Sequence, residues 1–296
     1  MFGGNKQSSF QGTKINPTRF HRTQVKFYLI LIPISLFMLL PVAFVVSNAF
    51  KPIDELNRFP PTFIVERPTM ANFRHIMRVT QGTGVPMSRF LTNTIIVTVI
   101  TVGLTIVIST MTAYALSKKD FKARQWLFNI NQAALMFVPA AVGIPRYLVI
   151  INSGLNNNFL AHIFPFLAMP VGIFLVKQFI DNNVPDSLIE AARVDGAGEL
   201  RVIFGIVFPL IKPAIATLAI ITFQSVWGAT EASNMFIEDD TLRTFAFYLG
   251  TIAIGGSPMM AGVGAAAGLI MFVPNLVIFI AMQSRVMSTM SHSGIK

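Results

Sequence analysis

The chain contains no cysteine. Disulfides, thiolate metal sites and cysteine nucleophiles are therefore excluded. Charge is scarce as well. Only 12% of the 296 residues are charged, against about a quarter in an ordinary soluble domain. Acids are the scarcer sign, 13 against 23 lysines and arginines. Histidine occurs four times (His21, His75, His162 and His292), with no helical pair at ligand spacing. A metal site is not expected from such a scatter. No G-x-x-x-x-G-K-S/T run occurs, so the chain has no loop of that kind to cradle nucleotide phosphates.

What is abundant is apolar surface: 53% of the residues are hydrophobic. A soluble fold of this length would struggle to hide them, whereas a bilayer solvates apolar helices directly. The composition therefore predicts an all-α membrane protein. A crossing needs about 20 mostly apolar residues, and six stretches qualify. They are 27–50, 90–117, 126–151 (interrupted only by Arg146), 159–176, 213–230 and 258–284. Ser47-Asn48-Ala49 resembles a signal-peptide cleavage site, but the apolar core before it is too long, so 27–50 reads as a retained span. Residues 244–257 read as a re-entrant or interfacial lead-in to the last span. The expected organisation is a basic leader 1–26, a six-span domain 27–284 and a tail 285–296.

The net charge of +10 sits at the borders of the apolar runs, which indicates topology and not nucleic-acid binding. Lys6, Lys14, Arg19, Arg22 and Lys26 precede the first span without an acid among them. Lys118, Lys119, Lys122 and Arg124 follow the second, against Asp120 alone. The loop before the last span is acidic (Glu231, Glu238, Asp239, Asp240, with Arg243). Both termini are thus expected in the cytoplasm. The long 51–89 loop carries six basic residues and is discounted, because long loops cross with less regard to charge.

Residues 177–212 are too charged to span and fall on the cytoplasmic side of this topology. Val184-Pro185 opens a first short helix. Ser187 with Glu190 three residues on reads as a capping box. Gly196 and Gly198 break that helix. Glu199 suits the first turn of a second helix, and Pro209 and Pro213 end it.

Within this segment Glu190-Ala191-Ala192, then Gly196, Ile206 and Pro209, keep the spacing E-A-A-x3-G-x9-I-x-L-P, with Phe208 where leucine is usual. The segment resembles the EAA loop of permease subunits of bacterial ABC importers, placing the coupling loop at 181–212 between spans four and five. Taken alone, Glu190 would be read as a cap of its own helix. The resemblance implies that Glu190, Ala191, Ala192, Asp195, Gly196, Ile206 and Pro209 couple the spans to a separate ATPase dimer. Glu190 would offer a carboxylate to a partner arginine, a pairing with good bidentate geometry. The two alanines would leave a shallow face for the partner's cleft.

Leu91-Thr92-Asn93-Thr94, then Ala113-Tyr114-Ala115-Leu116 with Lys118 and Phe121, is similar to span two of carbohydrate-uptake permeases, with Thr94 in place of a serine. Asp195-Gly196-Ala197 is their usual form of the loop. The terminal Ser293-Gly294-Ile295-Lys296 resembles the tail of the maltose-type second permease, implying contact of Ser293, Gly294 and Lys296 with the ATPase. The family further implies a second homologous permease, a solute-binding protein, a carbohydrate substrate and a bacterial cytoplasmic membrane. It implies no cofactor in this chain, ATP-Mg being held by the partner.

Trp227 has an aromatic face for a sugar ring and lies where an interfacial anchor would also lie. Gln224 and Gln132 are further substrate-path candidates. Arg146, ionisable within a span, is a functional candidate or a side chain that snorkels to the interface. Two rivals stay open at this point: an ABC permease for another solute, and a secondary transporter or scaffold without an ATPase.

Overall fold

A computed structural model of the chain describes residues 25–82, 84–253 and 258–293, and within them it is helical with no strand. α1 (Val25–Phe50) carries Pro33 and Pro41 inside it, which membrane helices tolerate. Residues 25–40 are exposed on every side, and only Ser47 and Ala49 of this helix are buried. Two short helices follow, α2 (Ile53–Leu56) and the amphipathic α3 (Ala71–Gly82). α4 (Met87–Lys118) is the long central helix.

The apolar stretch at 126–151 is not one helix. It is α5 (Arg124–Leu135) and α6 (Pro139–Asn152), separated at Met136–Val138. Val138 is extended (φ −74°, ψ 134°) because it precedes Pro139, which opens α6. The next stretch is also broken. A 3-10 turn (Phe159–His162) and α7 (Phe164–Leu167) meet α8 (Pro170–Asn183) at a bend of 42°.

The chain continues through α9 (Asp186–Val194), α10 (Glu199–Val202), a π-turn at Ile203–Val207 and α11 (Phe208–Leu210) into α12 (Lys212–Trp227). α13 (Glu231–Met235) and α14 (Phe245–Ala253) precede α15 (Pro258–Ser293). Of the 244–257 lead-in, Phe245–Ala253 folds as α14, whose Phe245 and Tyr248 are buried, and residues 254–257 lie outside the described residues. Four helical stretches among the described residues are long and apolar enough to cross a membrane: Val25–Phe50, Met87–Lys118, Lys212–Met235 and Met260–Gln283. The bent pair around Ala168 makes a fifth if it crosses as one unit.

α4 packs on α8, α12 and α14, and α15 packs on α1, α12 and α14. One apolar cluster fills the end of α4 near Lys118. It joins Ala113 and Tyr114 to Val176 and Ile180 of α8, Ile189 and Ala192 of α9, Val202 of α10 and Leu218 of α12. A second cluster fills the opposite end, where Phe90 stacks on Tyr248 with centroids 4.9 Å apart.

At that opposite end two polar residues of α4 fasten the chain that leads into α14. Asn93 Nδ2 donates to the carbonyls of Thr241 (2.7 Å) and Arg243 (2.9 Å). Thr94 Oγ1 accepts the first free N–H of α14, from Phe245, at 2.8 Å. Such a borrowed cap satisfies a helix-end donor that α14 leaves open. The same end holds two buried charges. Lys51 Nζ donates to Asn48 Oδ1 (2.9 Å) and to the Thr62 carbonyl. Glu55 accepts from the N–H groups of Glu66 (3.1 Å) and Arg67 (2.9 Å). Each is 2% exposed and tolerable there because polar partners replace the lost water. Asn72 Nδ2 ties the end of α1 through Ala49 (3.0 Å) and Lys51 (2.9 Å). Gly262 of α15 leaves room for it, since a Cβ there would sit 2.8 Å from Asn72 Oδ1.

Candidate functional site

The segment between α8 and α12 forms a bent elbow, and its shape follows from a few residues. Val184 is extended ahead of Pro185, which stands at the N-cap of α9. The capping box expected of Ser187 and Glu190 does not form. Ser187 lies inside the first turn, and no side chain caps this helix. Pro185 has no N–H and takes the flanking position, so the helix starts two residues earlier than a Ser187 cap would start it.

α9 ends in a complete Schellman motif. The Ala197 N–H reaches the Ala192 carbonyl (2.9 Å) and the Gly196 N–H reaches that of Arg193 (3.0 Å). Gly196 adopts φ +78°, a left-handed conformation that glycine enters without the Cβ penalty. Asp195 is the C-cap and is exposed. Pro209 does not end the second helix, contrary to expectation. The π-turn absorbs it: Phe208 N–H bonds back to the Ile203 carbonyl, five residues away. A widened turn relieves the clash of the proline ring with the carbonyl of residue i−4, here Gly205. The helix stops only at Ile211, and α12 restarts with Pro213 in its first turn.

α9 turns two side chains inward, Ile189 and Ala192. Glu190 and Ala191 face out. The Glu190 carboxylate has no hydrogen bond or ion pair among the described residues. The elbow also exposes apolar side chains: Leu188 (44%) and Val194 (88%) on α9, Leu200 (61%) on α10 and Phe204 (45%) in the π-turn. Ile206 is half-buried and Pro209 exposed.

The elbow is fastened to the end of α4 by four polar residues, Tyr114, Ser117, Lys118 and the C-cap Lys119. Tyr114 Oη donates to Glu199 Oε2 at 2.9 Å. Ser117 Oγ donates to Asp181. Lys118 Nζ reaches the Val184 carbonyl and Asp186, both at 2.7 Å. Lys119 Nζ pairs with the other oxygen of Glu199. That contact is the largest influence on the Glu199 carboxyl; with smaller help from the Tyr114 hydroxyl it outweighs desolvation and holds the group below the usual glutamate range. Glu199 is therefore charged throughout the neutral range. These anchors were not singled out as site residues. Their signal lay in the Ala113–Leu116 run and the basic residues after it, read only as a family mark and as topology.

The substrate-path candidates do not converge. Trp227 is 6% exposed, stacks on Phe223 at 5.4 Å and donates its indole N–H to the Met271 carbonyl at 3.0 Å. It packs α12 against α15 in this structure. Arg146 does not snorkel alone: its guanidinium pairs with Glu231 of α13 at 2.7 Å. Gln132 and Gln224 are exposed and without a partner among the described residues. Asn131 donates to the Pro170 carbonyl at 3.2 Å and so ties α5 to α8. Ser293 is the last residue of α15. Gly294 and Lys296, like residues 1–24 of the leader, lie outside the described residues. No three His, Asp or Glu side chains among the described residues converge on a metal position.

Comparisons with known proteins fit this arrangement. Residues 105–284, which hold the end of α4, the elbow and most of α15, match the model of the binding-protein-dependent transport system inner membrane component. The melibiose/raffinose/stachyose import permease protein MelC of Bacillus subtilis (strain 168) is 31% identical over 210 residues, covering 69% of this chain and 74% of its own. The sn-glycerol-3-phosphate transport system permease protein UgpE of Yersinia pestis is 32% identical over 248 residues, covering 82% and 86%. A crystal structure of a bacterial ABC transporter that imports the acidic polysaccharide alginate superposes with a TM-score of 0.76 at 21% identity, over 90% of this chain and 99% of its own. The fold with its elbow, the spacing around Glu190 and the extent of the match lead to one assignment: the chain is a member of the binding-protein-dependent transport system inner membrane component family.

Proposed function

We propose that this chain is one permease half of an ATP-driven importer of a sugar or oligosaccharide. The observation that carries the proposal is the elbow. An unpaired Glu190 and an exposed Ala191 sit on a helix that shares one apolar cluster with α4, α8 and α12. A push on that face is delivered to three membrane helices at once. The partner that pushes is a separate ATPase dimer in the cytoplasm, because this sequence has no phosphate-cradling loop of the Walker type.

In this reading α5 and α6 together make the third crossing and the bent pair makes the fourth. Six crossings then leave both termini in the cytoplasm, as the basic flanks require. The bare first half of α1, exposed on all sides, packs on a second, non-identical permease. The terminal residues run toward the ATPase. Transport proceeds by alternating access, the bundle switching between two packings that its partners bias. A secondary transporter or scaffold falls away with the family assignment.

Sugar is favoured because the MelC relative is named for three galactosides. The comparable identity of UgpE, named for sn-glycerol-3-phosphate, makes a phosphorylated polyol the second reading. The complex reconstituted in liposomes with its binding protein is expected to accumulate labelled raffinose or a longer oligosaccharide on ATP addition. Accumulation of sn-glycerol-3-phosphate with no sugar uptake would install the second reading instead.

A further inference from the structure

The turn between α4 and α5 carries a feature that coupling does not use. A cavity of about 370 Å³ opens there, walled by Phe121 and Phe128 and edged by Lys122, Arg124, Gln125 and Lys177. Three cations line it and no carboxylate does. Two of the cations are already engaged. Arg124 pairs with Asp120 at 3.0 Å and donates to the carbonyls of Leu116 (2.8 Å) and Ser117 (3.0 Å). Lys177 pairs with Asp181 at 2.6 Å and lies 4.7 Å from the centre of the Phe128 ring. Lys122 is exposed and has no partner among the described residues. The cavity and the carboxylates behind it therefore leave one uncompensated positive charge.

Its depth is fixed by the chain around it. The uncharged run of α4 ends at Lys118, one turn before the cavity. α5 then leads back beside α8, and its exposed face carries Trp126 (65%) and Leu127 (42%). A tryptophan at the end of an apolar helix marks the membrane–water boundary. The cavity thus brings a basic rim and aromatic walls together at the end of the apolar run of α4. A freely dissolved anion would have no use for the aromatic walls, and a neutral lipid none for the free lysine.

We propose that this cavity binds the headgroup of an anionic phospholipid. The phosphodiester sits between Lys122 and the remaining N–H groups of Lys177, and the acyl chains run on over Leu127. Its single negative charge matches the single uncompensated cation. Basic pockets between membrane helices take anionic headgroups in this way. The inference does not rest on what the importer carries. It needs only that α4 and α8 are embedded in a bilayer.

The test is native mass spectrometry of the complex that the chain forms on extraction in mild detergent. It is incubated with equal amounts of phosphatidylglycerol and phosphatidylcholine of matched chains, and separately with inorganic phosphate. Phosphatidylglycerol should be retained in preference. A cation near a membrane surface is worth about 1 kcal/mol, roughly fivefold, so Lys122→Glu should lower that retention by about tenfold or more. Arg78→Glu, an exposed cation on α3 away from the cavity, should leave it unchanged. Equal retention of the two lipids would overturn the proposal, as would unchanged retention in Lys122→Glu. Lys122-dependent binding of phosphate without retention of phosphatidylglycerol would also overturn it, in favour of a free-anion site.

Discussion

Glu190→Arg is expected to leave the chain inserted in the membrane and to cut ATP-dependent uptake at least about thirty-fold. The magnitude follows from the partner's side: reversing one member of a close interfacial charge pair costs about 2–5 kcal/mol. Insertion should survive because Glu190 supports nothing inside this chain. It is exposed, and it neither caps α9 nor pairs with any described residue. A surface residue with no partner usually changes stability by less than about 0.5 kcal/mol when replaced. Membrane abundance and uptake should therefore separate. Near-normal uptake in membranes holding normal amounts of the variant would mean that the exposed face of α9 is only solvated.

The second large effect is expected where the elbow meets α4. Tyr114→Phe combined with Lys119→Ala removes the hydroxyl and the ammonium group that these two residues present to Glu199. A hydrogen bond to a charged group is worth about 1.5–3 kcal/mol and a half-exposed ion pair about 0–1 kcal/mol. Loss of about 2 kcal/mol shifts the attached-to-detached ratio of the elbow about thirty-fold. Docking at Glu190 is untouched, so ATP turnover should persist. Uptake per ATP hydrolysed should fall severalfold. Glu190→Arg is expected to disconnect the motor, whereas this pair should let it turn with less movement of the bundle per turnover. The cluster around Ile189, Ala192 and Val202 still holds the elbow, which is why the loss is partial. A parallel fall of uptake and turnover, with their ratio unchanged, would show that these contacts do not transmit force.

Much of this arrangement was legible in the sequence, and the reason is local. Gly196 announced its own left-handed turn, and the two helices either side of it followed. The class and the long spans followed from uncharged runs, since each α4-type helix satisfies its backbone within itself. The rest depends on partners far apart in the chain. Hydropathy averaged over 126–151 cannot register a break of three residues. Val138-Pro139 marks the break, but proline is common in membrane helices and does not by itself signal one.

Ser187 and Glu190 had capping-box spacing, but Pro185 set the start of α9. Pro209 was read as a stop, yet a π-turn with Gly205 one turn earlier carries the helix past it. In the sequence Trp227 and Arg146 stand out by residue type alone. Their roles depended on Met271 and Glu231, 44 and 85 positions away, which periodicity does not connect. Tyr114 and the lysines after it show the converse. Their residue types are conspicuous, but their purpose is visible only beside Asp186 and Glu199.

The absence of cysteine makes the central claim directly measurable. Ala191→Cys introduces the chain's single thiol, on the exposed face of α9 beside Glu190. With a short bifunctional thiol reagent, this residue should join the chain to a nucleotide-hydrolysing subunit in membranes, at a yield that changes when ATP is added. An impermeant thiol reagent applied to intact cells should leave it unmodified. Labelling from outside the cell, with no cross-link to such a subunit, would contradict the account.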